Sequence, residues 1–284
     1  MVQLTQACSN GDVSNDYEAL RYLLAQAGFI AADEEADELL ACAAGDGDRL
    51  REIVHRRLNG EPLAWITGSI SFCGLEVRIA PGVYVPRWQS EPLARRAVER
   101  LPANGVAIDL CTGAGAIAKV LASERPKARV VASDLDERSC ACAAANGVEV
   151  YRGDLFGPLP RALEGHVDLV VGVVPYVPTR ALALLARDTL EFEAPLSYDG
   201  GPDGTDILRR VVADSAVFLR EGGALLLELG GDQADTLESD LVDGGFVDMR
   251  RFVDEDDDVR GIEATFAHNL ERQALNAARA SQTA

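Results

Sequence analysis

The chain has 284 residues, 48% hydrophobic and 26% charged, a composition that supports one large globular domain and a smaller one. A net charge of −19 weighs against a nucleic-acid partner, whose phosphates need a clustered basic face. The N-terminus lacks signal-peptide character, no apolar run reaches a bilayer span, and the six cysteines lack paired metal-ligand spacing, so the expectation is a cytoplasmic protein with no membrane partner and no metal.

In chain order, the first region is helical. Apolar residues recur at helical spacing from Asp16 to Leu58, as in "YEALRYLLAQAGF" and "EEADELLACAAG", with glycines at the breaks. The stretch "GEPLAWITGSISFCGLEVRIAPGVYVPR" then switches to alternation around Gly74, which predicts a hairpin. Beyond Val106, short apolar runs ("GVAIDL", "ARVVASD", "GVEVYRGD", "VDLVVGV", "GALLLELG") alternate with helical stretches, the pattern of crossover units on a parallel sheet. The final "NLERQALNAARASQTA" reads as a polar, Ala-rich tail.

The segment "AIDLCTGAGAIAKVLA" sets Asp109 at a strand end, then a turn through Gly113 and Gly115, then a helix. Glycines there let the backbone bend sharply and lie against a ligand. The next strand ends in Asp134, at the spacing where a carboxylate reaches ribose hydroxyls in a nucleotide site. The third glycine of the dinucleotide fingerprint is absent, so a ligand with a ribose and no pyrophosphate fits better: S-adenosylmethionine (SAM). "RGDLF" places Asp154 and Leu155 at the carboxyl end of the third strand, where Asp154 can accept from an exocyclic amine and Leu155 can face a flat ring.

This order of motifs resembles the protein-glutamine side-chain amide methyltransferases, which methylate the Gly-Gly-Gln glutamine of peptide-chain release factors. The likeness runs from about Glu34 to Phe266 and rests on "RRLNGEPLAWITGSISFCGLEV", "GVYVPRWQSE", "DLCTGAGAIA", "DGGPDGTDILRR" and "LLLELGGDQ". It implies an α/β class I SAM-dependent methyltransferase with a seven-stranded, mostly parallel Rossmann-like sheet. The expected divisions are a helical substrate-binding domain over 1–67, a β-hairpin linker over 68–86, a methyltransferase domain over 87–268 and a polar tail over 269–284. The same resemblance implies cofactor contacts at Gly113, Gly115, Asp134 and Asp154, with Arg87 and Glu91 near the entrance. Asp109, Cys111, Thr112, Ile117, Leu135 and Leu155 complete the expected cofactor set, and Trp65, Phe72, Tyr84, Trp88 and Phe192 the expected substrate-binding set.

The chain departs from the family at its reactive loop. The family reads Asn-Pro-Pro-Tyr; this sequence reads Val173-Val174-Pro175-Tyr176. An amide nitrogen is a poor nucleophile and must be gripped by the Asn side chain and the following carbonyl. Val173 supplies no such side chain, and an unpaired buried amide costs roughly 1–3 kcal/mol. The reading favoured from sequence is therefore a repurposed enzyme: an apolar or aromatic small-molecule acceptor, natural-product chemistry included, modified by methyl transfer or a related SAM-dependent alkylation or cyclisation, with S-adenosylhomocysteine as product. If that chemistry needs a base, Asp188, Glu191, Glu193, Tyr176 and His55 are the candidates. Two alternatives stay open: retained glutamine methylation of a release factor or other protein, and a noncatalytic SAM-binding regulator.

Overall fold

The computed structural model describes residues 13–185 and 191–267. The polar segment 269–284 and Asp188 lie outside them.

Three helices, α1 (Val13–Gln26), α2 (Ala32–Ala43) and α3 (Gly47–Leu58), pack around Leu20, Leu24, Leu39, Leu50 and Ile53. The α3 start is fixed by Asp46, whose carboxylate accepts from the amides of Asp48 and Arg49 and satisfies two donors that a helix N-terminus leaves unpaired. Buried Arg57 donates to both oxygens of Glu35 (2.6 and 2.8 Å) and lies over the Phe29 ring. A short helix α4 (Leu63–Thr67) sends Ile66 into this cluster and Trp65 into the next one, where its indole N–H donates to the Val83 carbonyl.

The hairpin centred on Gly74 is present: β1 (Ser69–Phe72) pairs antiparallel with β2 (Leu75–Arg78). Its turn residues Cys73 and Gly74 both have positive φ, the geometry that matches the twist of two joined strands.

After α5 (Glu91–Arg100) comes a seven-stranded sheet in the order β5-β4-β3-β6-β7-β9-β8. Its strands are β3 (Val106–Leu110), β4 (Arg129–Asp134), β5 (Glu149–Arg152), β6 (Val167–Gly172), β7 (Leu219–Glu228), β8 (Phe246–Val253) and β9 (Val259–Phe266). The pairings from β5 to β7 are parallel, and β9 runs antiparallel to both of its neighbours. This is the expected class I methyltransferase fold.

Central strands are apolar on both faces because helices cover both. In β3, Ile108 and Leu110 join the cluster that holds Val211 and Leu237 from α8 (Asp206–Phe218) and α9 (Gln233–Asp243). Ala107 joins the opposite cluster with Ala94, Ala97, Val120 and Leu121. Strand order reverses between β3 and β6, so a crevice opens beyond their carboxyl ends. Leu110 pairs with Gly172 at the last rung, so the segments starting at Cys111 and Val173 leave the sheet side by side. Among the described residues, no helix is long and apolar enough to cross a membrane.

Candidate active site

A cavity of about 730 Å³ fills that crevice. The loop after β3, the ends of β4, β5 and β7, the loop after β6 and the segment 194–198 form its walls.

The glycine loop is shaped by three residues of positive φ: Cys111, Gly113 and Gly115. A Cβ on Gly115 would come within 2.8 Å of Val148 and 3.1 Å of the Ala143 side chain, so this glycine lets α6 (Ala116–Glu124) pack against α7 (Glu137–Ala145). Gly113 serves differently. Its nearest neighbour for such a Cβ is Tyr84 at 3.9 Å, and it faces the cavity. Its amide donates to Asp134 Oδ2 at 2.8 Å, and the amide of Asp136 donates to Oδ1 at 2.9 Å. Burial holds the Asp134 carboxyl above its ordinary range.

Asp109 lies beneath this loop. Strand alternation points it to the face covered by α6, where Oδ2 accepts from Thr112 Oγ1 (2.6 Å) and the Ala118 amide (3.1 Å). It is 2% exposed, and burial pushes its carboxyl up to about 7. It shapes the loop from below and does not itself line the cavity. Thr112, Gly115 and Ile117 likewise lie outside the cavity lining. Glu91 accepts from the Cys73 amide (2.8 Å) and Arg95 (2.7 Å), away from the cavity. Of the expected cofactor residues, Cys111, Gly113, Asp134, Leu135, Asp154, Leu155 and Arg87 line the cavity. Burial drives the Cys111 thiol far up, so it offers no thiolate. Asp154, with a side chain 57% exposed, sits at the rim in an ion pair with Arg210 at 2.6 Å.

The four reactive-loop residues also line the cavity. Val174 is buried among Ile108, Leu110 and Val170, while half-buried Val173 packs against the opposite cluster. Main-chain bonds hold the loop in place. The Val177 amide donates to the Tyr198 carbonyl (2.8 Å), Gly200 N–H to the Val177 carbonyl (2.9 Å), and Gln233 Nε2 to the Tyr176 carbonyl (2.7 Å). The Tyr176 hydroxyl donates to Glu228 Oε1 at 2.9 Å. Burial pushes that phenol far up and raises the Glu228 carboxyl as well.

Among the expected substrate residues, Tyr84 reaches the cavity. Phe72 is 1% exposed inside the core, because the hairpin turns it inward. Trp65 is fixed by its bond to Val83 and by edge contact with Phe192. Trp88 is 75% exposed on a short turn, outside the cavity walls. Glu193 is unsuited to act as a base: Oε1 accepts from the Val85 amide (3.0 Å), while Oε2 accepts from Arg87 (2.7 Å) and the Tyr198 hydroxyl. His55 is exposed on α3 beside Asn59, and Glu191 is exposed; neither lines the cavity.

Sequence reasoning missed Tyr198, Glu228 and Arg260 as cavity residues. The signal for Glu228 was present: one carboxylate closing the otherwise apolar run "ALLLE".

A SAM-sized ligand fits this arrangement. Gly113 presents bare backbone to the cavity, Asp134 stands beside it, and the apolar Leu135 and Leu155 flank them.

No family model matches the chain. It is 35% identical over 218 residues to "Release factor glutamine methyltransferase" of Geobacter sulfurreducens, covering 75% of this chain and 73% of that protein. It is also 35% identical over 236 residues to "4-amino-L-phenylalanine/4-methylamino-L-phenylalanine methyltransferase" of Streptomyces pristinaespiralis, covering 74% and 80%. A solved methyltransferase from Pyrococcus furiosus matches with a TM-score of 0.51 at 17% identity, covering 75% of this chain and 98% of that one, a likeness of fold.

Proposed function

Because the chain belongs to the release factor glutamine methyltransferase family and is a SAM-dependent methyltransferase, we propose that it methylates a nitrogen on an aromatic or otherwise apolar small molecule. The observation that carries this reading is the apolar pair Val173-Val174 at the loop that faces the cavity. A side-chain amide entering there meets no side-chain partner at position 173, whereas a flat or aliphatic acceptor meets hydrocarbon and the rings of Tyr84, Tyr176 and Tyr198. The Streptomyces relative, whose name is that of an aromatic-amine methyltransferase, supports such a substrate for this scaffold.

Bound SAM supplies a methyl group on a positively charged sulfur, ready for attack. In this reading Asp134 and Gly113 hold the ribose side of the cofactor, and Leu135 and Leu155 sandwich its apolar parts. Arg87 is held by Glu193 and Tyr198 at the cavity wall, which keeps Tyr84 in place beneath it (5.3 Å from the guanidinium to the ring centre). The loop 173–176 fixes where the acceptor lies. An acceptor with a free lone pair needs alignment above all, and holding two reactants in register supplies most of such a rate enhancement.

A second reading is glutamine methylation of a release factor. Most of the named relatives carry that name, so by number the comparisons favour it. The Val174 carbonyl, half of the family's amide grip, also persists because it is main chain. Incubation with SAM labelled in its methyl group separates the two readings. One arm contains a Gly-Gly-Gln release-factor domain, the other 4-amino-L-phenylalanine and related small aromatic amines. Transfer to a small amine with none to the protein is expected; robust labelling of the glutamine overturns the first reading.

A further inference from the structure

Glu228 ends β7 at 7% exposure and is a wall residue of the cavity. Its two oxygens have different surroundings. Oε1 accepts the Tyr176 hydroxyl, whereas Oε2 is buried with no well-aligned hydrogen bond; the other hydroxyl beside the carboxylate is that of Ser90, which is buried and, among the described residues, has no other partner. Along β7, Ala224, Leu226 and Glu228 share one face, and Val173 packs on that same side of the sheet. A buried carboxylate oxygen served by no more than one poorly aligned hydroxyl is costly, and such under-paired groups in native proteins call for a functional explanation. Fixing the loop explains Oε1 alone.

We infer that Glu228 Oε2 accepts a hydrogen bond from the N–H of the acceptor nitrogen, and that this acceptor is an aromatic amine. The inference rests on the small-molecule reading above and adds the group that recognises the nitrogen. An aromatic amine suits every wall of the site. Its ring meets Val173, Tyr84 and Tyr198, and its nitrogen is uncharged near neutral pH and keeps its lone pair for the methyl group. Its N–H reaches Oε2 from the cavity side, and the oxygen's second lone pair stays free for the Ser90 hydroxyl. An aliphatic amine would arrive protonated, pair with the carboxylate and have no lone pair to offer.

Binding to the full-length protein saturated with S-adenosylhomocysteine tests this, with 4-ethylaniline compared against its near-isostere 4-ethyltoluene by calorimetry. A hydrogen bond to a buried carboxylate is worth about tenfold or more in affinity, and 4-ethylaniline is expected to win by that margin. Glu228→Gln keeps an oxygen for Tyr176 and turns the free acceptor into a donor. The preference should vanish in this variant while affinity for S-adenosylhomocysteine holds. In the unmodified protein, 4-ethyl-N,N-dimethylaniline, which has no N–H, should bind no better than 4-ethyltoluene, a control independent of how the variant folds. Equal binding of 4-ethylaniline and 4-ethyltoluene to the unmodified protein overturns the inference and leaves the small-molecule reading standing. A preference that survives Glu228→Gln assigns it to another group and overturns the inference. Binding of neither compound overturns both readings together.

Discussion

The amide of Gly113 donates to Asp134 Oδ2 at 2.8 Å, so the glycine loop and the carboxylate at the end of the next strand form one unit at the cavity wall. Removing the carboxylate frees the loop amide and removes the expected ribose acceptor together. Asp134→Ala should weaken S-adenosylhomocysteine binding about ten- to a hundredfold by calorimetry. Val173→Ala should leave it nearly unchanged, and equal losses in the two variants would misplace the cofactor.

Returning an amide to position 173 tests how much of the specificity one side chain carries. In Val173→Asn the amide enters a site packed against hydrocarbon, at a cost of about 1–3 kcal/mol if it stays unpaired; urea denaturation reads this. Transfer to a Gly-Gly-Gln domain should stay weak, because the rest of the wall is unchanged and Glu193 is already bound to Arg87, Tyr198 and Val85. Strong glutamine labelling by this variant would show that Val173 alone set the acceptor.

Tyr176→Phe takes away the donor on Glu228 Oε1. The carboxyl, already raised by burial, loses a bond that lowers it and shifts further upward. Its other charged and polar neighbours are Arg260, Ser90 and Tyr84. If ionised Glu228 holds the acceptor, activity falls as pH drops through its pKa, and the acid limb of the pH profile should move to higher pH in Tyr176→Phe. An unmoved limb would dissociate Glu228 from turnover.

Gly204 tests the support behind the reactive loop. It has φ +80°, and an added Cβ there would collide with the Tyr176 carbonyl and with Gln233 Nε2, the donor that holds that carbonyl. Gly204→Ala should therefore cut turnover at least tenfold while cofactor affinity stays within about threefold, since the cofactor loop lies on another strand. Loss of both together would mean that the two loops move as one.

Asp109 should make stability depend on pH. Its carboxyl titrates at about 7 in the fold and near 4 when unfolded, so between those values the native state holds a proton that the unfolded chain has released. Stability from this group is full below about pH 4 and declines as pH rises through 7. Asp109→Asn, uncharged throughout, lacks that decline. The Tm of the unmodified protein relative to the variant should rise by a few degrees on going from about pH 8 to about pH 5. A constant difference would rule the effect out.

Much of the fold was legible because helical and strand periods are local properties. The five apolar runs from "GVAIDL" to "GALLLELG" correspond to β3 through β7, and Gly74 marked its hairpin turn. What the sequence hid was direction. Asp109 and Asp134 both lie near the carboxyl ends of largely apolar strands, yet the first points under helix α6 and the second lines the cavity. The aromatic residues Trp65 and Phe72 resembled ligand contacts by type, but α4 turns the first and the hairpin the second into the core. Glu228 was overlooked for the opposite reason. A single acid at the end of an apolar run resembles a strand terminus until Tyr176 is seen beside it, 52 positions away in the chain.

The shape of the reactive loop is written elsewhere in the chain, in the carbonyl of Tyr198, in Gly200 and Gly204, and in the amide of Gln233. Val174 is packed into the core, so half-buried Val173 is the position that can change chemistry while these distant groups keep the loop's geometry. Such a division of labour gives mutation a short route to new acceptors: one side chain can change identity at a mount that other parts of the chain hold in place.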